Sequence, residues 1–126
     1  PAKAFQKACE ANLAPACTAV GEMRYQALGV PKDKAAALAL FKQACEGGDL
    51  AGCNDAGIVL NDSGDHVGAA RYYERACNEK SSLGCVGLGV QARDGKGRSV
   101  DKARAKELFD KACKAGLTDG CKLANP

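Results

Sequence analysis

Apolar side chains recur at steps of three and four residues along three similar stretches of the chain, at 34–46, 69–77 and 105–113. In the first stretch they are Ala37, Leu38, Phe41, Ala44 and Cys45. This spacing places them on one face of a helix, because an α-helix completes a turn in about 3.6 residues. We therefore predict three amphipathic helices, called B helices below, over these ranges.

A second set of helices, called A helices, is predicted between the B helices, at 15–27, 51–60 and 83–93, with a stub at 118–125. Pro15 suits a first helical turn, where its missing N–H costs nothing. Turn residues separate each A helix from the next B helix, as in Gly29-Val30-Pro31, Asn61-Asp62-Ser63-Gly64 and Gly95-Lys96-Gly97. No strand pattern survives this assignment, so we predict an all-α fold.

Conserved columns within the chain show that these helices are repeated units. An aromatic residue lies four positions before the first cysteine of each of four cysteine pairs, and a glycine lies four after the second cysteine in three of them. Aspartates stand near the starts of the B helices, as N-caps or first-turn acids. The three columns are Phe5, Phe41, Tyr73 and Phe109; Gly21, Gly57 and Gly89; and Asp33, Asp65 and Asp101.

The cysteine pairs begin 36, 32 and 36 residues apart, and a fixed period of this size indicates a solenoid. We predict a single α-solenoid domain over 1–126. It comprises a partial repeat at 1–12, repeats at about 13–48, 49–80 and 81–116, and a partial repeat at 117–126. Because the chain opens at Pro1 inside a repeat, we expect it to be a piece of a longer precursor. The glycine column predicts a close approach of the helices.

All eight cysteines are expected to form disulfides, because each pair has seven residues between its members. The first cysteine ends a B helix and the second begins the next A helix, so a bridge would staple two adjacent helices. Closing such a loop contributes about 2.6 kcal/mol. The predicted bridges are Cys9–Cys17, Cys45–Cys53, Cys77–Cys85 and Cys113–Cys121.

Disulfides persist in oxidising compartments, so we expect a periplasmic or secreted protein. Zinc sites need closely spaced ligands, and these pairs are too far apart in sequence, so no metal and no cofactor are predicted. The net charge of +3 comes without a run of basic residues, which argues against nucleic acid. No apolar stretch approaches the length of a membrane span.

Two residues were weighed as catalytic candidates. Ser99-Val100-Asp101-Lys102 has the S-x-x-K form of serine β-lactamases, but the companion motifs S-D-N and K-T-G are missing. We expect Ser99 to help cap a helix instead. His66 is the single histidine, and we expect it to be exposed and structural. No catalytic residue and no enzymatic activity are predicted.

The string ALALFKQACE at 37–46, followed by x-G-C and by a glycine four residues further on, resembles the Sel-one-like repeat, a relative of the tetratricopeptide repeat. The paired cysteines are similar to the disulfide-bearing branch that includes the Helicobacter cysteine-rich proteins. The resemblance implies a right-handed superhelix of α/α hairpins that binds proteins or peptides. It also implies two alternatives: a β-lactam-binding protein or weak β-lactamase, and a periplasmic immunity partner of a secreted lipase effector.

By analogy with tetratricopeptide solenoids, the A helices line a concave face. Positions one, five and eight after the second cysteine should point there, and they vary between repeats as a surface fitted to a partner would. Tyr25 and Arg93 are the best anchors by residue type. The nine positions are Thr18, Glu22 and Tyr25; Asn54, Ile58 and Asn61; and Val86, Val90 and Arg93. We expect a protein or peptide partner to bind there without catalysis.

Overall fold

A computed structural model describes residues 2–28 and 31–126 of the chain. Within these residues the chain forms eight helices and no strand, which confirms the all-α prediction. The helices are α1 (Ala2–Glu10), α2 (Ala14–Leu28), α3 (Pro31–Glu46), α4 (Leu50–Asp62), α5 (His66–Asn78), α6 (Ser82–Asp94), α7 (Lys102–Lys114) and α8 (Thr118–Ala124). The odd-numbered helices are the B helices and the even-numbered ones are the A helices.

The helices stack as a superhelix in which each one packs against its neighbours in the chain. The A helices also pack on one another from repeat to repeat, α2 on α4 and α4 on α6. No comparable packing joins α3 with α5 or α5 with α7 within the described residues. The A-helix side is therefore the more closely spaced side of the stack, and a stack curves toward that side.

Aspartates begin two of the B helices, as predicted. Asp65 accepts a hydrogen bond from the Gly68 backbone N–H at 2.9 Å, and Asp101 accepts one from Arg104 N–H at 3.0 Å. These bonds satisfy donors that a helix start leaves without an intrahelical partner. Asp33 lies in the first turn of α3.

Two details differ from the predicted boundaries, and a third prediction falls outside the described residues. The cap of α7 is Asp101, so the expected capping role of Ser99 is wrong, and Ser99 is exposed in the preceding loop. Helix α4 continues to Asp62, so half of the predicted turn at 61–64 is helical. The Gly29-Val30 part of another predicted turn lies outside the described residues.

The aromatic column forms the contact between each B helix and the A helix that precedes it. Phe41 and Phe109 are 1% and 2% exposed. Each ring packs against a glycine of the preceding A helix, where an added Cβ would lie 2.6 Å from Phe41 and 2.5 Å from Phe109. Only glycine leaves room for the ring, which confirms that the glycine column marks a close approach. The glycines are Gly21 and Gly89, and Gly57 has the same relation to Tyr73.

The aromatic column is predicted to be buried between each B helix and its neighbours, and its first copy departs from this prediction. The Phe5 side chain is 43% exposed. Among the described residues α1 packs mainly on α2, so this ring lacks the second helix neighbour that the later rings have.

The four predicted disulfides are all present: Cys9–Cys17, Cys45–Cys53, Cys77–Cys85 and Cys113–Cys121. In each bridge the two Cα atoms lie 4.5–4.6 Å apart, within the ordinary range for a disulfide. Every bridge joins the end of a B helix to the start of the next A helix. Each bridge therefore staples one repeat to the next across the turn between them, and none joins repeats that are not neighbours.

Candidate functional site

Two adjoining cavities lie along the A helices, with volumes of about 300 Å³ and about 420 Å³. Glu22 from α2 and Asp55 and Ile58 from α4 line both of them. We call the two cavities together the concave groove. The smaller cavity is completed by Tyr25, Gln26, Phe41 and Val59, and the larger one by Ala51, Asn54, Tyr73, Leu83, Val86 and Gly87.

The groove has an apolar wall that is open to solvent. Ile58 and Leu83 are 45% and 59% exposed. Val86 lines the same cavity and packs against the hydrophobic core between α5 and α6. Of the predicted binding residues, Glu22, Tyr25, Ile58 and Val86 thus meet in one groove.

Thr18 and Asn54, which were predicted to face a partner, are each only 5% exposed. The Thr18 hydroxyl donates to an Asp49 carboxylate oxygen, and the Asn54 amide Nδ2 donates to Ser81 Oγ at 2.9 Å. Asp49 and Ser81 are the N-cap residues of α4 and α6, yet neither makes a side-chain cap bond to its own helix. These two bonds instead tie each A helix to the start of the next one, so the partner-facing prediction is wrong for Thr18.

Asn54 differs from Thr18 because it also forms part of the wall of the larger cavity. Its Oδ1 is buried and has no hydrogen-bond partner among the described residues. A buried acceptor that lacks a donor is costly, so this oxygen is available to a donor that enters the groove.

Asn61 also serves the stack rather than the groove. Its Oδ1 contacts His66 Nδ1 and accepts a bond from Gln91 Nε2 at 3.3 Å, while the same Nε2 donates to the His66 backbone oxygen at 3.0 Å. Gln91 is 1% exposed, so this cluster joins α4, α5 and α6 inside the stack. Asn61 is half-buried and lines neither cavity of the groove, so its role in binding stays a prediction, and His66 is half-buried rather than exposed.

The two predicted anchors lie in different places. Tyr25 lines the smaller cavity, with its hydroxyl 3.4 Å from Asp62 Oδ2, and burial followed by the nearby Asp62 carboxylate raises the pKa of Tyr25. Arg93 is exposed and bonds the neighbouring Asp94 through Nε and Nη2 at 2.9 and 3.1 Å. It borders a separate cavity near the end of the chain. Val90 is half-buried against the core between α6 and α7.

Asp55 is the feature of the groove that the sequence analysis missed. Burial, more than any other cause, raises the pKa of Asp55 to about 7, and the Glu22 carboxyl adds to it through a hydrogen bond and its negative charge. The Asp49 carboxylate contributes a smaller repulsion. The buried Oδ2 of Asp55 finds no donor among the described residues, so its bond to Glu22 exists only when the two carboxyls share a proton. Near pH 7 the Asp55 carboxyl is thus about half protonated.

Known proteins share this architecture. The sequence pattern of the Sel1 repeat matches residues 14–49, 54–81 and 82–117. Among solved structures, the Helicobacter pylori cysteine-rich protein B is 29% identical, with a TM-score of 0.67, covering 96% of this chain and 90% of that protein. A Sel1 repeat protein from Oxalobacter formigenes is 26% identical, with a TM-score of 0.82, covering 96% of this chain and 51% of that one.

Two further matches are longer proteins. A protective antigen of uropathogenic Escherichia coli strains that displays an SLR fold shares the fold at a TM-score of 0.84 and 20% identity, covering 94% of this chain and 26% of the antigen. Cytochrome c oxidase assembly factor 7A of Xenopus laevis is 29% identical, covering 77% of this chain and 46% of that protein. The chain thus spans about half the length, or less, of several of its relatives.

Neither composition nor helix length suggests a membrane segment in the part described: no helix there is both long and apolar enough to cross a bilayer. The three matched segments together cover most of the chain, and the paired cysteines recur in register with them. The chain is a member of the Sel1 repeat family.

Proposed function

We propose that this protein is a non-catalytic scaffold that binds a protein or peptide partner in the concave groove, and that it works in the periplasm or outside the cell. The observation that carries the proposal is the groove itself. It combines an apolar wall at Ile58 and Leu83 with a small number of buried polar groups, which is the usual composition of a binding site. Members of the Sel1 repeat family generally mediate protein interactions, and this supports the same proposal.

The cellular location follows from the disulfides. All eight cysteines are bridged and none is free, whereas a reducing compartment would keep such thiols reduced. Alkylation of the protein in intact cells before lysis would test this directly. We expect no thiol to be labelled, and labelling of the cysteines would contradict an oxidising compartment.

Binding can be tested with a library of random heptapeptides displayed on phage and selected on the immobilised, oxidised protein. We expect enriched peptides whose affinity falls at least about tenfold in Leu83→Ser, because an exposed apolar side chain of the groove is lost. Leu13→Ser is a matched control, since Leu13 is 57% exposed and lies outside the groove. Peptides that lose affinity with Leu13→Ser and not with Leu83→Ser would overturn the assignment of the groove.

The non-catalytic part of the proposal has its own test. A chromogenic β-lactam should show no turnover above the buffer rate. Turnover that disappears in Ser99→Ala would show that the S-x-x-K segment is an active site after all.

A further inference from the structure

The concave groove has a charge opposite to that of the whole chain. The chain carries a net charge of +3, yet the charged residues among those lining the two cavities are Glu22 and Asp55, both acidic. The ion pairs found in the described residues are Arg75–Glu79, Arg93–Asp94, Arg104–Glu107 and Lys106–Asp110. None of them involves either groove carboxylate, so this part of the chain supplies no basic side chain to the acid pair.

Two oxygen acceptors of the groove are buried without a hydrogen-bond donor among the described residues, and an exposed carboxyl lies beside them. Asp55 Oδ2 and Asn54 Oδ1 are both buried without a hydrogen-bond partner in the described part of the chain, and the Glu22 carboxyl approaches Asp55. The Asn54 side chain is 5% exposed and lines the larger cavity. A lysine ammonium carries three donors, and an arginine guanidinium carries five in a planar fork, so either could satisfy this set.

Resting on the proposed function, we propose that the groove recognises a peptide segment with a lysine or arginine next to a large apolar residue. The cationic side chain binds the acceptors of Glu22, Asp55 and Asn54. The apolar side chain enters the larger cavity against Ile58, Leu83 and Val86. The cation of such a segment has the charge opposite to that of Glu22 and Asp55, and its apolar residue covers the exposed Ile58 and Leu83.

Proton release follows from the same arrangement. The titratable groups that line a cavity with Asp55 are Glu22 and Tyr25 on α2 and Tyr73 on α5, and Asp49 ahead of α4 adds its charge. Lys34 Nζ lies 6.0 Å from the centre of the Tyr25 ring, and no cationic side chain lines either cavity in the described part of the chain. A bound cation favours the ionised form of Asp55, so binding expels the shared proton. Since the pKa of Asp55 without ligand is about 7, affinity should fall about tenfold from pH 8 to pH 6.

The test begins with the heptapeptide selection described above, carried out at pH 8. We expect the enriched peptides to place Lys or Arg within about three residues of Leu, Ile, Val or Phe, because the acid pair and the apolar wall adjoin. One selected peptide and its analogue with norleucine in place of lysine are then synthesised. Their affinities are measured by calorimetry at pH 6 and pH 8, against the wild-type protein and its variants.

Glu22→Gln and Asp55→Asn keep the side-chain shapes and remove the charges. Each should weaken the lysine peptide by about tenfold or more at pH 8 and leave the norleucine peptide unchanged, since a charge-assisted bond is lost. Asp55→Asn should also abolish the difference between pH 6 and pH 8. Glu74→Gln is the control, because Glu74 is exposed on α5 and lies outside both cavities. Circular dichroism of each variant checks that its fold is intact.

The outcomes separate this inference from the proposed function. The enriched peptides could lack a basic residue, bind Glu22→Gln and Asp55→Asn as tightly as the wild type, and lose affinity for Leu83→Ser. This result would overturn the cationic inference and leave peptide binding in the groove intact. Peptides whose affinity is unchanged in the acid variants and in Leu83→Ser would overturn both the cationic inference and the proposed function. Selection that enriches no peptide would also count against both.

Discussion

The two spaces between successive A helices share one framework but not one chemistry. Between α2 and α4, Glu22 meets Asp55, whereas between α4 and α6 the exposed Ile58 adjoins Leu83 and Val86. The ring-on-glycine contact is the same behind both spaces, as Phe41 on the Gly21 helix and Tyr73 on the Gly57 helix. The framework positions therefore fix where the helices lie, and the positions beside them set what each step of the groove can bind.

The largest effect is expected when one of the buried aromatic rings that pack on a glycine is removed. Phe41→Ala should lower the free energy of unfolding by about 3–5 kcal/mol, because the ring is 1% exposed and its loss leaves a cavity between repeats. Phe5→Ala, at the same column but 43% exposed, should cost less than about 1 kcal/mol. Guanidinium unfolding followed by circular dichroism under oxidising conditions measures both. Equal costs would show that the column does not carry the packing.

Removing a staple should affect both spaces alike. We expect Cys45→Ala/Cys53→Ala and Cys77→Ala/Cys85→Ala each to cost about 2–3 kcal/mol, because both close loops of the same length. The two bridges have the same sequence separation of 8. Thermal unfolding of the two double variants compares them. A difference larger than about 1 kcal/mol would mean that the repeats are not equivalent units, since the chain-entropy contribution is the same for both.

Because Glu22 and Asp55 meet in the space between α2 and α4, the stability that this space contributes should depend on pH. Folding raises the pKa of Asp55 from its ordinary 3.8 to about 7, so the folded chain keeps a proton that the unfolded chain releases. Stability from this group is therefore fully present below about pH 4 and lost as the pH rises through 7. Since the site is partly open to solvent, Asp55→Asn should stabilise the protein by about 1–2 kcal/mol at pH 8 and by almost nothing at pH 4.

Thermal unfolding of Asp55→Asn across this pH range gives the measurement. Glu74→Gln should show no such trend, because Glu74 is exposed on α5. A stabilisation that does not depend on pH would contradict the assignment of the raised pKa to Asp55.

The smallest expected effect concerns the bonds between A helices. Thr18→Val should lower the free energy of unfolding by about 1 kcal/mol, because the Asp49 carboxylate loses its hydrogen-bond partner on the preceding A helix, α2. Thr118→Val, at an exposed threonine of α8, should change stability by less than about 0.5 kcal/mol. Denaturant unfolding resolves the two if they are measured side by side. Identical values would show that the Thr18–Asp49 bond does not couple the repeats.

The fold could be predicted from the sequence because its signals are local. The ring column, the glycine column and each pair of cysteines fall within a window of less than 20 residues, so periodicity alone identifies them. The exception is Phe5, whose burial depends on a neighbour that local spacing cannot reveal.

The groove was less predictable because its contacts join residues one repeat apart. Asp55 stands at a position where the other copies carry Ala19, Gly87 and Leu123, so no column marks it. Its environment depends on Glu22 in the preceding repeat. The position of Thr18 differs between repeats as a surface position would. Thr18 is nevertheless buried, and its hydroxyl donates to Asp49 ahead of the next A helix. The signal available in the sequence was the pair of acidic residues Glu22 and Asp55, which lie one repeat apart on neighbouring A helices.

The stapling of each repeat to the next over a short stretch of chain has a consequence for how the protein is made and how it can change. Eight cysteines can pair in roughly a hundred ways, but here every correct partner is eight residues away along the chain. Each bridge can therefore close as soon as its two cysteines reach oxidising conditions, before distant cysteines compete. A duplicated repeat also brings one cysteine for each of its two boundaries, so the array can lengthen while every cysteine keeps a partner eight residues away.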